Sequence, residues 1–186
     1  TPADAAWTDR PSGYTFVGST TVTFTSTDNS QFILTNSDDQ GNGALTKTIL
    51  QSPAFSTTGF TGTALNFQHY YRELDATDTA LVEASLDGIS WTNVATYNVT
   101  TGAPAAFASA ALALPIGFDN QPTVYVRFRY VGTWAWFWAL DNVSVTGTST
   151  SFTYSWTSTP AGFTSAVQNP TANPIVATDY TVAITN

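Results

Sequence analysis

Apolar and polar residues alternate along most of the chain, so the dominant period is two rather than 3.6 and strand follows strand. In residues 63–72 (TALNFQHYYR), Leu65, Phe67, His69 and Tyr71 share one face, and Asn66, Gln68, Tyr70 and Arg72 the other. Residues 123–131 (TVYVRFRYV) repeat the pattern, with Val124, Val126, Phe128 and Tyr130 inward and Tyr125, Arg127 and Arg129 outward. Shorter strands are predicted at 20–25 (TTVTFT), 31–35 (QFILT) and 45–50, with Pro53 marking a strand end or an edge. Asp87-Gly88, between residues 80–86 and 90–97, predicts a hairpin because such a turn needs positive φ. Residues 134–145 (WAWFWALDNVSV) predict an aromatic closing strand, on which Trp134, Trp136 and Trp138 share a face if the strand is regular. Helical patterning is nearly absent, and turn signals recur about every 8–15 residues, which predicts an antiparallel sandwich or barrel.

The small polar stretch 146–151 (TGTSTS) reads as a linker. Beyond it lie strands at FTYSW and DYTVAIT, with Pro160, Pro170 and Pro174 between them. That tail is too short for an independent sandwich, so it is expected to dock on the first domain or to be completed by further sequence. The abrupt first and last residues suggest an excerpt of a longer polypeptide, and any signal peptide is expected to have been removed.

Composition narrows the function. Hydrophobic residues make up 42% and aromatics 14%, enough for a sizeable core. Charged residues are only 10%, against about 25% in an ordinary domain, so solubility rests on Thr, Ser and Asn. With 5 Lys and Arg and a net charge of -8, the chain has no basic footprint for nucleic acid or an anionic membrane. Cys is 0, which removes disulfides and thiol chemistry and mildly favours a bacterial over an animal secreted protein. No apolar run approaches the length of a membrane span.

The order FILTNSDDQG, LQSPAFS, LNFQHYYR, ALVEASLDGISWTNV, VYVRFRYVG and WFWALDNVSVTG resembles a jelly-roll domain of the MAM and cleaved-adhesin type, found in secreted multidomain proteins of Bacteroidota. Most specific are Ser85, Asp87, Gly88 and Trp91 in the hairpin and Asp141 to Val145 at the close. The resemblance implies an all-β fold: a jelly-roll β-sandwich over 1–147, followed over 148–186 by a small Ig-like appendage resembling part of an Ig or PKD repeat. It further implies a secreted, cell-surface location, export by the type IX system, and roles in adhesion or beside secreted enzymes. The sorting signal of that system is not recognisable in the tail.

Candidate sites follow. Asp38, Asp39 and Asn42 sit in a Gly-rich loop with oxygens suited to Ca²⁺, and the resemblance adds Asp141 as a metal-facing carboxylate. Capping of a solvated turn, and bonds from Asp141 to backbone amides, are the plainer readings. Trp134 and Trp136 are candidate glycan-stacking residues, whereas Trp138 is expected in the core. Asp78-Thr79-Ala80 matches a short pattern glycosylated in Bacteroidota, with Thr79 the acceptor. His69, the sole histidine, is expected as a core residue, and nothing singles out a carboxylate pair for glycoside hydrolysis. Arg127 and Arg129 suit cross-strand pairing with acidic neighbours, or an acidic glycan.

The expected function is therefore a non-catalytic adhesion or structural module of a large bacterial surface protein. Its expected partners are other domains of that protein, polysaccharide, or neighbouring subunits in an assembly built by strand addition. A carbohydrate-binding module accessory to a secreted enzyme is the alternative. Catalysis by the chain itself is the least supported reading.

Overall fold

The computed structural model describes residues 6–185. In chain order the strands are β1 (Thr8–Arg10), β2 (Thr15–Val17), β3 (Thr21–Thr23), β4 (Phe32–Asn36), β5 (Leu45–Gln51), β6 (Phe60–Tyr71), β7 (Thr79–Ser85), β8 (Thr92–Tyr97), β9 (Ala108–Ala113), β10 (Tyr125–Thr133), β11 (Phe137–Ser149), β12 (Thr153–Thr159), β13 (Thr164–Ser165) and β14 (Asp179–Thr185). The chain divides into two compact units between Thr148 and Ser149. The expected all-β class is the one observed. The stretch read as a linker is partly strand, because β11 runs on to Ser149.

In the larger unit a five-stranded sheet, ordered β1-β4-β11-β6-β9, faces a four-stranded sheet, ordered β5-β10-β7-β8. The predicted alternation sets what lies between them. Leu65, Phe67 and Tyr71 of β6 meet Ala80, Val82 and Ala84 of β7, Val126, Phe128 and Tyr130 of β10, and Trp138 and Leu140 of β11. Trp138 is fully buried at the centre, 5.6 Å from the Trp7 ring and 5.7 Å from Phe128.

The other face of the five-stranded sheet is also covered. The β2–β3 hairpin lays Phe16 and Val22 over it, with Phe24 beside them, and these pack on Phe32, Leu34, Tyr70, Phe107, Phe137 and Ala139. Phe24 and Phe137 meet at right angles, 5.3 Å apart. Strands β4 and β11 therefore bury side chains on both faces, which is why Phe137, Trp138, Ala139 and Leu140 are continuously apolar.

Two local expectations change. Strand β11 begins only at Phe137, and Trp134 sits in the preceding turn at φ 49, so the three tryptophans do not share a strand face. The Asp87-Gly88 turn is wider than a two-residue hairpin, since β7 ends at Ser85 and β8 starts at Thr92. Asp87 organises it, accepting the N–H groups of Ile89 at 2.8 Å and Ser90 at 2.7 Å.

The smaller unit is one antiparallel sheet, β13-β12-β14. Register places Tyr154 opposite Ile184 and Trp156 opposite Val182 on one face, with Ser155, Thr157, Thr181 and Ala183 on the other. Trp156 Nε1 donates to the Val167 carbonyl at 3.1 Å, and Phe163 packs edge-on to Tyr180 at 5.3 Å. No described residue of this unit is fully buried.

Candidate functional site

The corner where β11 bends gathers oxygen-bearing side chains. Asn142, at φ 52, kinks the strand and turns its side chain toward the loop before β4. Its Nδ2 donates to Asp28 Oδ2 at 3.2 Å and Gln68 Oε1 at 3.5 Å. Beside it Asp141 is 7% exposed. Asp141 Oδ1 accepts the Asn142 N–H at 2.8 Å and the Ser30 hydroxyl at 3.5 Å, while Oδ2 is buried with no donor. Burial, assisted by the Asp28 charge, raises the Asp141 pKa against the pull of the Asn142 amide. Asp141 Oδ2 is thus a buried carboxylate oxygen without a donor, close enough to Asp28 to feel its charge, and such an oxygen is the kind that a hard cation such as Ca²⁺ takes.

The four metal candidates read from the sequence do not converge. Asn36 pairs with Phe137 and Ile33 with Leu140, so the Asp38 loop and Asp141 lie at opposite ends of the β4–β11 ladder. Their separation is about 10 Å or more along the strands, against metal–oxygen distances of about 2.5 Å. Asp38 instead accepts the Ser19 hydroxyl at 2.7 Å, Asp39 accepts Asn36 Nδ2 at 2.7 Å, and Asn42 is exposed. Asp28, Ser30, Gln68 and Asn142 were missed. The Asp-Asn-Ser turn at 28–30 was their one local signal.

The remaining candidates are scattered. Trp134 is 37% exposed, and its backbone N–H donates to the Ala44 carbonyl at 2.9 Å. Trp136 is half-buried beneath the Arg72 guanidinium, 3.9 Å from its ring centre. Thr79 is half-buried at the start of β7, and Asp78 before it is a loop anchor, its Oδ2 accepting the Leu74 N–H at 2.9 Å. His69 is a core residue, accepting Trp138 Nε1–H on Nδ1 at 3.3 Å, and burial lowers its pKa to about 4. Glu83 accepts Arg127 Nε at 2.8 Å and Arg129 Nε at 3.1 Å, the cross-strand pairing expected from the outward register. Burial opposes its ionisation, but the hydrogen bonds from Arg129 and Arg127 outweigh that and hold its carboxyl below the ordinary range.

Among the described residues no three His, Asp or Glu side chains gather closely enough to ligate one ion by themselves. Among the described residues no helix is long and apolar enough to cross a membrane.

No protein-family model matches the chain, and no curated protein does. Solved structures do. The chain is similar to the K1 cleaved adhesin domain of Lys-gingipain from Porphyromonas gingivalis W83, at 18% identity over 79% of this chain and 86% of that one, with a TM-score of 0.54. It is also similar to the K3 cleaved adhesin domain of Lys-gingipain from the same strain, at 20% identity over 78% and 92%, with a TM-score of 0.49. A third likeness is to CBM27-1 of Caldicellulosiruptor saccharolyticus, solved with mannohexaose, at 17% identity over 62% and 74%, with a TM-score of 0.41. At such identities the K1 likeness establishes the fold, an adhesin-type β-sandwich.

Proposed function

We propose that this chain is a non-catalytic extracellular module of a larger bacterial surface protein, serving adhesion or spacing. The placement of its aromatic side chains carries the reading. Phe67, Tyr71, Phe128, Tyr130 and Trp138 fill the sandwich, and Phe16, Phe24, Phe32, Phe107 and Phe137 fill the layer under the hairpin. Most aromatic mass is thus spent on cohesion, leaving Thr-rich outer surfaces suited to a spacer. The one histidine is committed to Trp138, and Glu83 to two arginines, which supports a role without turnover.

Within this reading Asp28 and Asp141 hold a structural Ca²⁺ with Gln68 and Ser30, and the ion stiffens the β11 bend. Ca²⁺ at about 100 times its Kd adds about 2.7 kcal/mol of stability. Calcium is expected to raise the melting temperature of the native chain and leave Asp141→Asn unmoved. An equal response in both rejects that site.

For the function itself, the full chain on fluorescent beads is tested for attachment to polysaccharide- and protein-coated surfaces, in parallel with turnover of chromogenic glycosides, esters and peptides. Saturable attachment without turnover is expected, and turnover that follows the protein through purification defeats the reading. The exposed Trp134 favours a second reading, a carbohydrate-binding module beside a secreted enzyme. That reading takes over if neutral-glycan binding is found and is lost in Trp134→Ala.

A further inference from the structure

The outward face of the four-stranded sheet carries most of the chain's positive charge. Strand alternation turns Lys47 of β5 and Arg127 and Arg129 of β10 to this face, three of the 5 Lys and Arg in the protein. Glu83 is the only carboxylate within these four strands. It is shared by both arginines, so positive charge remains in excess on a molecule whose net charge is -8. Of the carboxylates flanking these strands, Asp87 points into its own turn, and Asp78, next to Thr79, is buried and accepts the Leu74 N–H.

The cations are held in different ways. The Arg127 guanidinium carbon sits over the Trp91 ring, 4.0 Å from its centre, while the Arg129 side chain is 34% exposed. Lys47 is exposed. Register sets Ile49 opposite Arg129 and Lys47 opposite Val131, so Lys47 and Arg129 are diagonal neighbours across β5 and β10. They border an open hollow of about 640 Å³ lined by Lys47, Thr48, Ile49, Thr79, Arg129 and Val131. Along β10, Arg127 and Arg129 repeat at about 7 Å, forming a short row of charge parallel to the strand.

We infer that this face binds an acidic polysaccharide, a polymer whose sugar rings bear carboxylates. The hollow is wide enough to admit such a ring with room for its neighbours. Ile49 and Val131 underlie its apolar face, Lys47 and Arg129 reach its carboxylate from two sides, and the Thr79 hydroxyl meets a ring hydroxyl. Arg127 takes the next charge along the chain. Guanidinium groups suit carboxylates because they are planar and weakly hydrated. Nucleic acid fits less well, since the row is too short for the several phosphate contacts that binding needs. This names a partner for the adhesive role proposed above and rests on that role only for its biological setting.

The test uses the full chain and polygalacturonate, with fully methyl-esterified polygalacturonate as the uncharged control, in affinity electrophoresis and calorimetry. Binding to the acid form is expected to be at least about tenfold tighter than to the ester, and to weaken as salt shortens the screening length toward about 8 Å. Lys47→Glu, on the exposed edge strand and outside the core, is expected to weaken it about fivefold. Equal affinity for acid and ester, no binding of polygalacturonate, or an unchanged Lys47→Glu variant each overturns the inference. So does self-association abolished by Lys47→Glu, which assigns the face to a second copy. Bead attachment to other surfaces without polygalacturonate binding removes this site and leaves the adhesive reading standing, whereas catalytic turnover removes that reading independently.

Discussion

Between about pH 7 and pH 5, acidification should weaken this protein chiefly through His69. His69 is 1% exposed, its ring centre lies 4.4 Å from that of Tyr97, and its Nδ1 accepts the Trp138 indole N–H. A proton on Nδ1 removes that acceptor and leaves an imidazolium in the core facing a donor. Burial accordingly lowers the pKa from 6.5 to about 4. The folded value lies below the unfolded one, so between them the unfolded chain binds more protons and falling pH favours unfolding. Stability is whole above pH 6.5, declines below it, and the loss is complete near pH 4. The interval between those values, at about 1.36 kcal/mol per pH unit, is worth about 3 kcal/mol, a large share of an ordinary domain's total. Guanidinium denaturation of the native chain and of His69→Gln at a series of pH values measures it. The glutamine keeps an acceptor for the indole without a titrating proton. The native chain should lose about 2 kcal/mol between about pH 7 and pH 5, and the variant far less. Because the chain has 1 His, the imidazole proton resonance reports the same event directly. An ordinary titration near 6.5, or parallel stability profiles for the two proteins, refutes the reasoning.

Glu83→Gln should destabilise the larger unit by about 2 kcal/mol at neutral pH, measured by denaturant midpoint, because two partly buried arginines lose their shared carboxylate. The depressed Glu83 pKa means that its contribution is present above 4.5 and fades as pH falls through the lower folded value, so native and variant stabilities should converge in acid. Trp134→Asn should raise the melting temperature by a few degrees, since φ 49 costs a bulky residue about 1 kcal/mol and asparagine tolerates it. A lowered melting temperature would mean that the Trp134 side chain contributes more than its backbone strain costs.

What could be read from the sequence follows from how many faces each strand buries. Strand β10 buries one face and β6 does so until its last residues, where Tyr70 joins the layer under the hairpin, so their alternation placed Phe67, His69, Val126 and Phe128 correctly. The Glu83 pairing was legible for the same reason, as outward arginines on β10 need an acidic neighbour on β7. Strand β11 is buried on both sides at its start, so its run of apolar residues carried no face information, and a positive φ at Trp134 broke the parity argument. The Asp28–Asp141 corner was half visible. Asp141 stood out, but Asp28 is 114 positions from its contact Asn142, and only the folded ladder brings them together.

The order β1-β4-β11 has a mechanical consequence. Strand β4 runs antiparallel to both neighbours, so β1 and β11 point the same way, with the chain entering at the foot of one and leaving at the head of the other. Tension between those two points slides the strands lengthwise, and the ladder bonds share the load together instead of parting one at a time. The three-residue β1 gives way first, leaving β11, whose first residues Phe137 to Leu140 are wedged between two aromatic layers, as the part of the module that resists being pulled.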